Sequence, residues 1–442
     1  MGPEVWRRGG GRARATGEVS SQTPVSLCRD DKNLCVYGRV AAMIKLAERA
    51  RIWILCAGFG IFVPLGLLAK QSMATVYIAT AVLVLVAVGV SNPRSLLPNR
   101  VLTLAFAVLV VYVGATHFYV ISCEPCLAVA AGKLAMLGLL LWVSSAGVAV
   151  LDAEARRKVG LALILGLAAA LLLLVAELSS DASIYRALSG RQNDPDVPLF
   201  RYNRGTSALV LLAWPAAAWL WSRPGQGWRW GLGLIVLSIA AAGYGDSASA
   251  LVAGVVGLVV AAAAILAPSV TFFIGVSATA AFTLLSPFLF INLLGWVQPI
   301  SGDIPPSVLD RIEIWHHSAA TVLDAPLLGH GIGVIRHLPL PVDPLIPYQY
   351  LMKPPTHPHD AAIQLWLEVG AVGLVIFIII VWLAIRAVRF LQSPWQVAAI
   401  GAGAAIAFTA MVSYGLWQET WLGIIGMTVL GFRALVSSPD QL

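Results

Sequence analysis

The stretch DAAIQLWLEVGAVGLVIFIIIVWLAI, residues 360–385, is apolar apart from three side chains near its start. At about 1.5 Å rise per residue, a run of this length crosses a hydrocarbon core of about 30 Å as a helix. A helix is required there because each backbone polar group must find its partner within the segment. The three polar residues, Asp360, Gln364 and Glu368, fall four apart and therefore share one face. Lipid rejects such a face, so it must turn towards a bundle interior or a water-filled cavity. That makes Glu368 a candidate binding residue, with hydrogen bonding between helices as the plainer alternative.

Outward from this run, similar apolar segments recur near 52–69, 74–90, 101–119, 127–150, 159–176, 205–221, 231–243, 248–266, 270–294, 396–414 and 420–436. Hydrophobic residues make up 59% of the 442 and charged residues 12%, a balance that a soluble fold cannot hide from water. The pattern predicts an all-α integral membrane protein of about twelve transmembrane helices, with a long, partly helical outer loop before the tenth. Residues 1–43 read as a disordered cytoplasmic tail rather than a cleavable signal peptide, being rich in Arg and Gly without an apolar core. Residues 44–294 hold the first nine spans, with a basic outer loop at 177–204. Residues 295–359 form the long outer loop, and 360–442 hold the last three spans and the C-terminus.

Charge placement orients the bundle. With the N-terminus inside, twenty of the 29 Lys and Arg fall on inner segments and eight on outer ones, while Lys133 lies within a span. The positive-inside rule thus puts both termini in the cytoplasm. It also accounts for the net charge of +7 without nucleic acid as a partner.

Four of the outer cations, Arg186, Arg191, Arg201 and Arg204, crowd into the loop at 177–204, where topology alone would not put them. The loop at 295–359 holds 11 of the 25 prolines and six of the seven histidines, and long loops of this kind carry function. Within it, PPSVLDRIEIWHHSAATVLDAP (305–326) has apolar residues at Val308, Ile312, Trp315, Ala319 and Val322. That spacing predicts a short amphipathic helix on the outer membrane surface, capped by Ser307 and Asp310, carrying Arg311 in its first turn and ending before Pro326. An arginine there is unfavourable to the helix dipole, which leaves an exposed surface residue or a guanidinium aimed at an anion. Next come a glycine-rich turn with His330, PLLGHGIG (326–333), and the histidines His357 and His359. Asp360 then reads as the N-cap of the tenth span.

An imidazole with an ordinary pKa near 6.5 suits general-base work. Arginines recognise phosphate bidentately and stabilise charge on a departing phosphate. Together they favour group transfer from a phosphorylated lipid. The chemistry is expected to need neither a metal nor another cofactor. Cys123 and Cys126, in CEPC of a short outer loop, are compatible with a disulfide or with free thiols. No second ligand pair accompanies them to make a zinc site.

Taken in order, RYNRGTSALVLLAWP (201–215), RIEIWHHSAATVLDAPLLGHGIG (311–333) and HPHDAAIQLWLEVGAVGLVIF (357–377) resemble the bacterial O-antigen ligase and polymerase family. The pattern is an Arg four residues before a Trp, then P-L-x-G-x-G, then His followed by Asn or Asp, then Q-x-x-x-E-x-G. The resemblance implies an inner-membrane glycosyltransferase that moves a glycan from undecaprenyl diphosphate to lipid A-core at the periplasmic face, with inversion at the anomeric carbon. It implies His359 as the base on the acceptor hydroxyl and Arg311 on the diphosphate. Arg201, Arg204 and Arg191 compete for a second essential arginine, Arg201 narrowly favoured, while His330, His357 and Glu368 are expected to line the substrate. Two departures stand out: GDSASA (245–250) lacks the family's usual basic turn, and Asp360 replaces a frequent Asn. A polymerase or a protein O-oligosaccharyltransferase would share this donor and outer site. A glycolipid transporter or flippase is the alternative of another class, and would explain Glu368 without a reaction.

Overall fold

The computed structural model describes residues 32–69, 71–117, 124–145, 151–190, 199–297, 304–338 and 355–436. The chain divides into two compact units, Met1–Leu46 and Ala47–Leu442. In the first unit the described residues, from Lys32, are helical although they fall largely within the stretch read as tail. They include the helix-forming run AAMIKL (41–46). All that follows concerns the second unit.

The α-helices are α1 (Lys32–Leu68), α2 (Ser72–Ser91), α3 (Arg100–His117), α4 (Glu124–Ser145), α5 (Ala153–Ser179), α6 (Ser183–Ser189), α7 (Asn203–Trp221), α8 (Gly227–Tyr244), α9 (Ala248–Leu266), α10 (Pro268–Val297), α11 (Pro306–Val322), α12 (Ala361–Ile385), α13 (Trp395–Val412) and α14 (Glu419–Leu435). No strand occurs among the described residues. Eight of the helices are long and apolar enough to cross a membrane by length and composition. The short α6 and the amphipathic α11 fall within the two segments read as outer loops.

α7 is the hub. Every residue from Gly205 to Trp219 is buried, the signature of a helix surrounded by other helices. Between lipid-facing helices the attraction comes from close packing rather than from expelling water, so small residues mark the contacts. At the crossing of α9 and α13 a Cβ on Gly257 would sit 2.8 Å from the Gly401 carbonyl, and one on Gly401 would sit 2.6 Å from the Trp214 ring of α7.

α12 is broken at Gly370, whose φ of 62° and ψ of −172° no helix accommodates. In an unbroken helix the amides of Ala371 and Val372 would donate to the carbonyls of Leu367 and Glu368. Instead they donate to Pro326 and Leu327 (2.9 and 3.2 Å), while Leu367 and Glu368 accept from His330 and Gly331 (2.7 and 2.8 Å). The glycine-rich turn thus exchanges main-chain partners with the helix, and two lost helical bonds become four between segments. Tyr112 of α3 completes the joint, its hydroxyl donating to Val369 (2.7 Å) and lying 3.2 Å from the Leu328 carbonyl. In a span, where an unpaired peptide group costs several kcal/mol, this compensation is what permits the break.

α11 departs from its expected form. Its N-cap is Pro305 with Pro306 in the first turn, and no side chain caps it, so Ser307 and Asp310 do not form a capping box. Proline already supplies the helical φ and lacks the amide a cap would serve. Arg311 consequently lies beyond the first turn. The buried face carries Asp310, Glu313 and Ser318 with Ile312, Ala319 and Val322, while Val308 is exposed. α11 packs against α10 and α12, so its inner face is partly polar.

Replacing Gly370 by alanine forces a Cβ to 2.5 Å from the Leu327 carbonyl at a φ that L side chains avoid. The expected result is a loss of about 2 kcal/mol or more, seen as a lower unfolding temperature in detergent and faster proteolysis of the 326–333 turn.

Candidate active site

The two histidines stand on a short ridge, residues 355–360, that three contacts hold in place. Trp315 donates its indole N–H to the Pro358 carbonyl at 2.9 Å while its ring stacks on Phe290, centroids 4.9 Å apart. Asp360 caps α12, its Oδ1 accepting from the Ile363 amide at 2.9 Å, as the sequence predicts. His359 Nδ1 lies 2.9 Å from the Ser413 carbonyl oxygen. A carbonyl only accepts, so Nδ1 carries the proton, and in the neutral ring Nε2 is left with its lone pair.

His359 has a φ of 59°, a left-handed backbone that residues other than glycine rarely adopt. Bonds to the residues before and after it hold this strain, which directs attention to the ring it presents. The His357 and His359 rings are 4.2 Å apart, both partly exposed. Burial, chiefly, together with the charge of Arg311, holds the His359 imidazole below its ordinary pKa, against the Ser413 bond that raises it. Burial, His359 and the charges of Arg204 and Arg336 push His357 down to about 3. Three guanidiniums therefore act on a pair of neutral histidines. Arg311 is half-buried, one turn before Trp315 on the same helix, and its own pKa is lowered by burial.

The two loop arginines separate. Arg201 lies over the Tyr185 ring, 2.9 Å from its centroid, and donates to the Leu68 carbonyl at 3.2 Å. Arg204, in the first turn of α7, is the one whose charge reaches His357 and Tyr414. The loop is organised by the buried Glu177, which accepts from the Ile184 and Tyr185 amides and, at 2.7 Å, from the Tyr202 hydroxyl. Arg186 pairs with Asp181 at 2.9 Å. Arg191 and Cys123 lie outside the described residues, as do the surroundings of the Cys126 side chain.

Glu368 is 1% exposed and accepts from the Gly333 amide (3.0 Å), Gln364 Nε2 (3.1 Å) and the Trp417 indole (2.6 Å). Lys133 of α4, also buried, contributes a compensating charge. Gln364 in turn accepts from the Leu416 amide at 2.7 Å. With both carboxylate oxygens occupied, Glu368 clamps the glycine-rich turn and the 413–418 loop to α12, the plainer of its two readings. His330 is directed inward to the protein, its Nε2 2.9 Å from the Thr321 carbonyl.

Sequence reasoning missed Arg336 and the segment SYGLWQ (413–418) between α13 and α14. That segment supplies the Ser413 carbonyl, the Leu416 amide and the Trp417 indole, and a Cβ on Gly415 would lie 2.8 Å from that of His357. Its contribution is largely main-chain, which leaves no motif; the signal available was a polar interruption between two apolar runs. Among the described residues, no three His, Cys, Asp or Glu side chains group as ligands for a metal ion.

The His357 and His359 imidazoles, with the charges of Arg204, Arg311 and Arg336 acting on them, make up the candidate site. Residues 199–378 match the protein family described as O-Antigen ligase, so the resemblance carried by the motifs holds across the region that builds the site. The chain is also similar to the "Putative polysaccharide ligase RC0486" of Rickettsia conorii (strain ATCC VR-613 / Malish 7), 27% identical over 289 residues, which cover 63% of this chain and 67% of the relative. A "Putative polysaccharide ligase" of Rickettsia felis (strain ATCC VR-1525 / URRWXCal2) is 26% identical over 287 residues, with the same shares covered. No solved structure matches the chain.

Three outcomes are expected. Because the folded pKa of His359 lies below its ordinary value near 6.5, the ring is neutral at neutral pH, and with His359 as the base the acid limb of a kcat–pH profile should fall below 6.5. Stability should also decline as pH drops from about 6.5 towards 3, where the unfolded chain takes up protons that His357 refuses. Glu368→Ala should orphan the Gly333 and Trp417 donors and cost about 3 kcal/mol, lowering the unfolding temperature in detergent.

Proposed function

We propose that this chain is an O-antigen ligase, transferring a glycan from undecaprenyl diphosphate to lipid A-core at the periplasmic face of the bacterial inner membrane, with both termini cytoplasmic. The observation that carries this reading is His359, neutral, with its Nδ1 proton committed to Ser413 and its Nε2 free beside cationic Arg311. The count of lysines and arginines gives the orientation, and contacts agree with its grouping of the outer loops and outer span ends on one side: Arg201 with Leu68, and Ser413 with Ser249 and His359.

In this reading the lipid diphosphate is both anchor and leaving group. Nε2 of His359 takes the proton of an acceptor hydroxyl as its oxygen bonds to the anomeric carbon. The bond from that carbon to the phosphate oxygen breaks, and its electron pair leaves with undecaprenyl diphosphate. Attack opposite the leaving group inverts the anomeric centre. Arg311 on α11, Arg204 in the first turn of α7 and Arg336 offset the growing charge. Arg201, stacked on Tyr185, has the part of holding the loop, and Glu368 that of holding the turn.

The test is purified protein with undecaprenyl-diphosphate-linked O-antigen and lipid A-core, without nucleotide and with a chelator. Glycan-bearing lipopolysaccharide is expected from the wild type, none above background from His359→Ala, and a larger fall in kcat for Arg204→Ala than for Arg201→Ala. Longer lipid-linked glycan in place of lipopolysaccharide would indicate a polymerase. Glycan on a Ser/Thr protein would indicate an oligosaccharyltransferase. Transport of labelled glycolipid into vesicles with no new glycosidic bond would overturn the enzyme reading.

A further inference from the structure

The segment 413–418 has a place in the site that the group-transfer reading alone does not require. Its first two residues are tied to three elements: the Ser413 carbonyl accepts from His359, the Ser413 hydroxyl lies 3.2 Å from that of Ser249 at the start of α9, and Tyr414 reaches α7. The Tyr414 hydroxyl donates to Ser207 Oγ at 3.1 Å and lies 3.4 Å from the Asn203 carbonyl. Asn203 and Ser207 flank Arg204 within the first turns of α7, and the Ser207 hydroxyl itself donates to Asn203 at 2.8 Å. Tyr414 is 5% exposed, and its ring lies parallel to that of Trp421, centroids 4.8 Å apart. A buried phenol therefore links the peptide that holds the imidazole to the helix that carries the guanidinium.

We propose that Tyr414 is a positioning residue: through its bond to Ser207 it fixes the Ser413 carbonyl relative to α7, and so sets at once the orientation of the His359 ring and its distance from Arg204. Neither the aromatic stack nor the burial of the ring needs the hydroxyl, whereas the linkage consists of it. The groups facing His359 are the Ser413 carbonyl, the His357 ring and the Arg311 charge. Of these, the carbonyl is the one adjoining Tyr414 in the chain. The catalytic half of this inference rests on the proposed transfer reaction; the structural half does not.

Tyr414→Phe removes the hydroxyl and keeps the stack, and Ser207→Ala removes its partner. Histidine-labelled full-length protein in nanodiscs, assigned with a His359→Gln control, reports the ring tautomer and titration of His359 by NMR. Both variants should loosen the Nδ1–H···O bond, which favours the imidazolium, and so shift the His359 titration to lower pH. The double variant should add nothing to either single one. Transfer assays on the same samples should show kcat reduced by at least about tenfold, with KM for the donor changed far less. A loss of folded protein alone would lower the amplitude without moving the titration. If tautomer and titration match the wild type in both variants, or if the two substitutions act additively, Tyr414 does not position the base and the proposal is overturned. If the titration moves as expected while the wild type transfers no glycan, the linkage stands and the proposed reaction fails.

Discussion

The exchange of main-chain partners at Gly370 is the constraint on which the rest of the site depends. A helix inside a membrane has no solvent to satisfy a peptide group it releases, so a break persists only where protein supplies equivalent partners at once. The turn at 326–333 supplies them, and in doing so becomes an extension of α12. Everything nearby inherits its coordinates from this joint. Gly333 presents its amide to Glu368, Glu368 and Gln364 fix the 413–418 loop, and that loop offers a carbonyl to His359. Trp315 fixes the same ridge from the opposite side.

The electrostatics follow from that packing. Arg311, Arg204 and Arg336 converge on histidines that stay neutral, because burial and neighbouring charge both oppose protonation. A cationic imidazole would repel the same guanidiniums. In the proposed reaction, the neutral ring lets positive charge concentrate where the diphosphate leaves, with Nε2 still able to take a proton.

Much of this was legible in the residues themselves. Apolar run length gave the helices, and the four-residue spacing of Asp360, Gln364 and Glu368 gave the inward face of α12, because both depend on side-chain chemistry repeating at a helical period. The Asp360 cap was equally local. What escaped was main-chain chemistry. Gly370 reads as one more small residue in an apolar run, and its break appears only when the partner turn is in place. Ser413 contributes a carbonyl, which every residue has. Arg201 and Arg204 are alike in sequence, and Tyr185, elsewhere in the same loop, separates them by stacking on the first. The capping box failed for a different reason: Pro305 and Pro306 start α11 by backbone geometry before Ser307 is reached.

A joint built from peptide groups is indifferent to the side chains it carries. The carbonyls of Pro326 and Leu327 and the amides of His330 and Gly331 do the docking, so the exposed side chains of Leu327 and Leu328 are released from that duty. The glycine-rich turn can therefore vary what it displays without losing where it is held. Anchorage and display are in this way written in two separate alphabets on the same few residues.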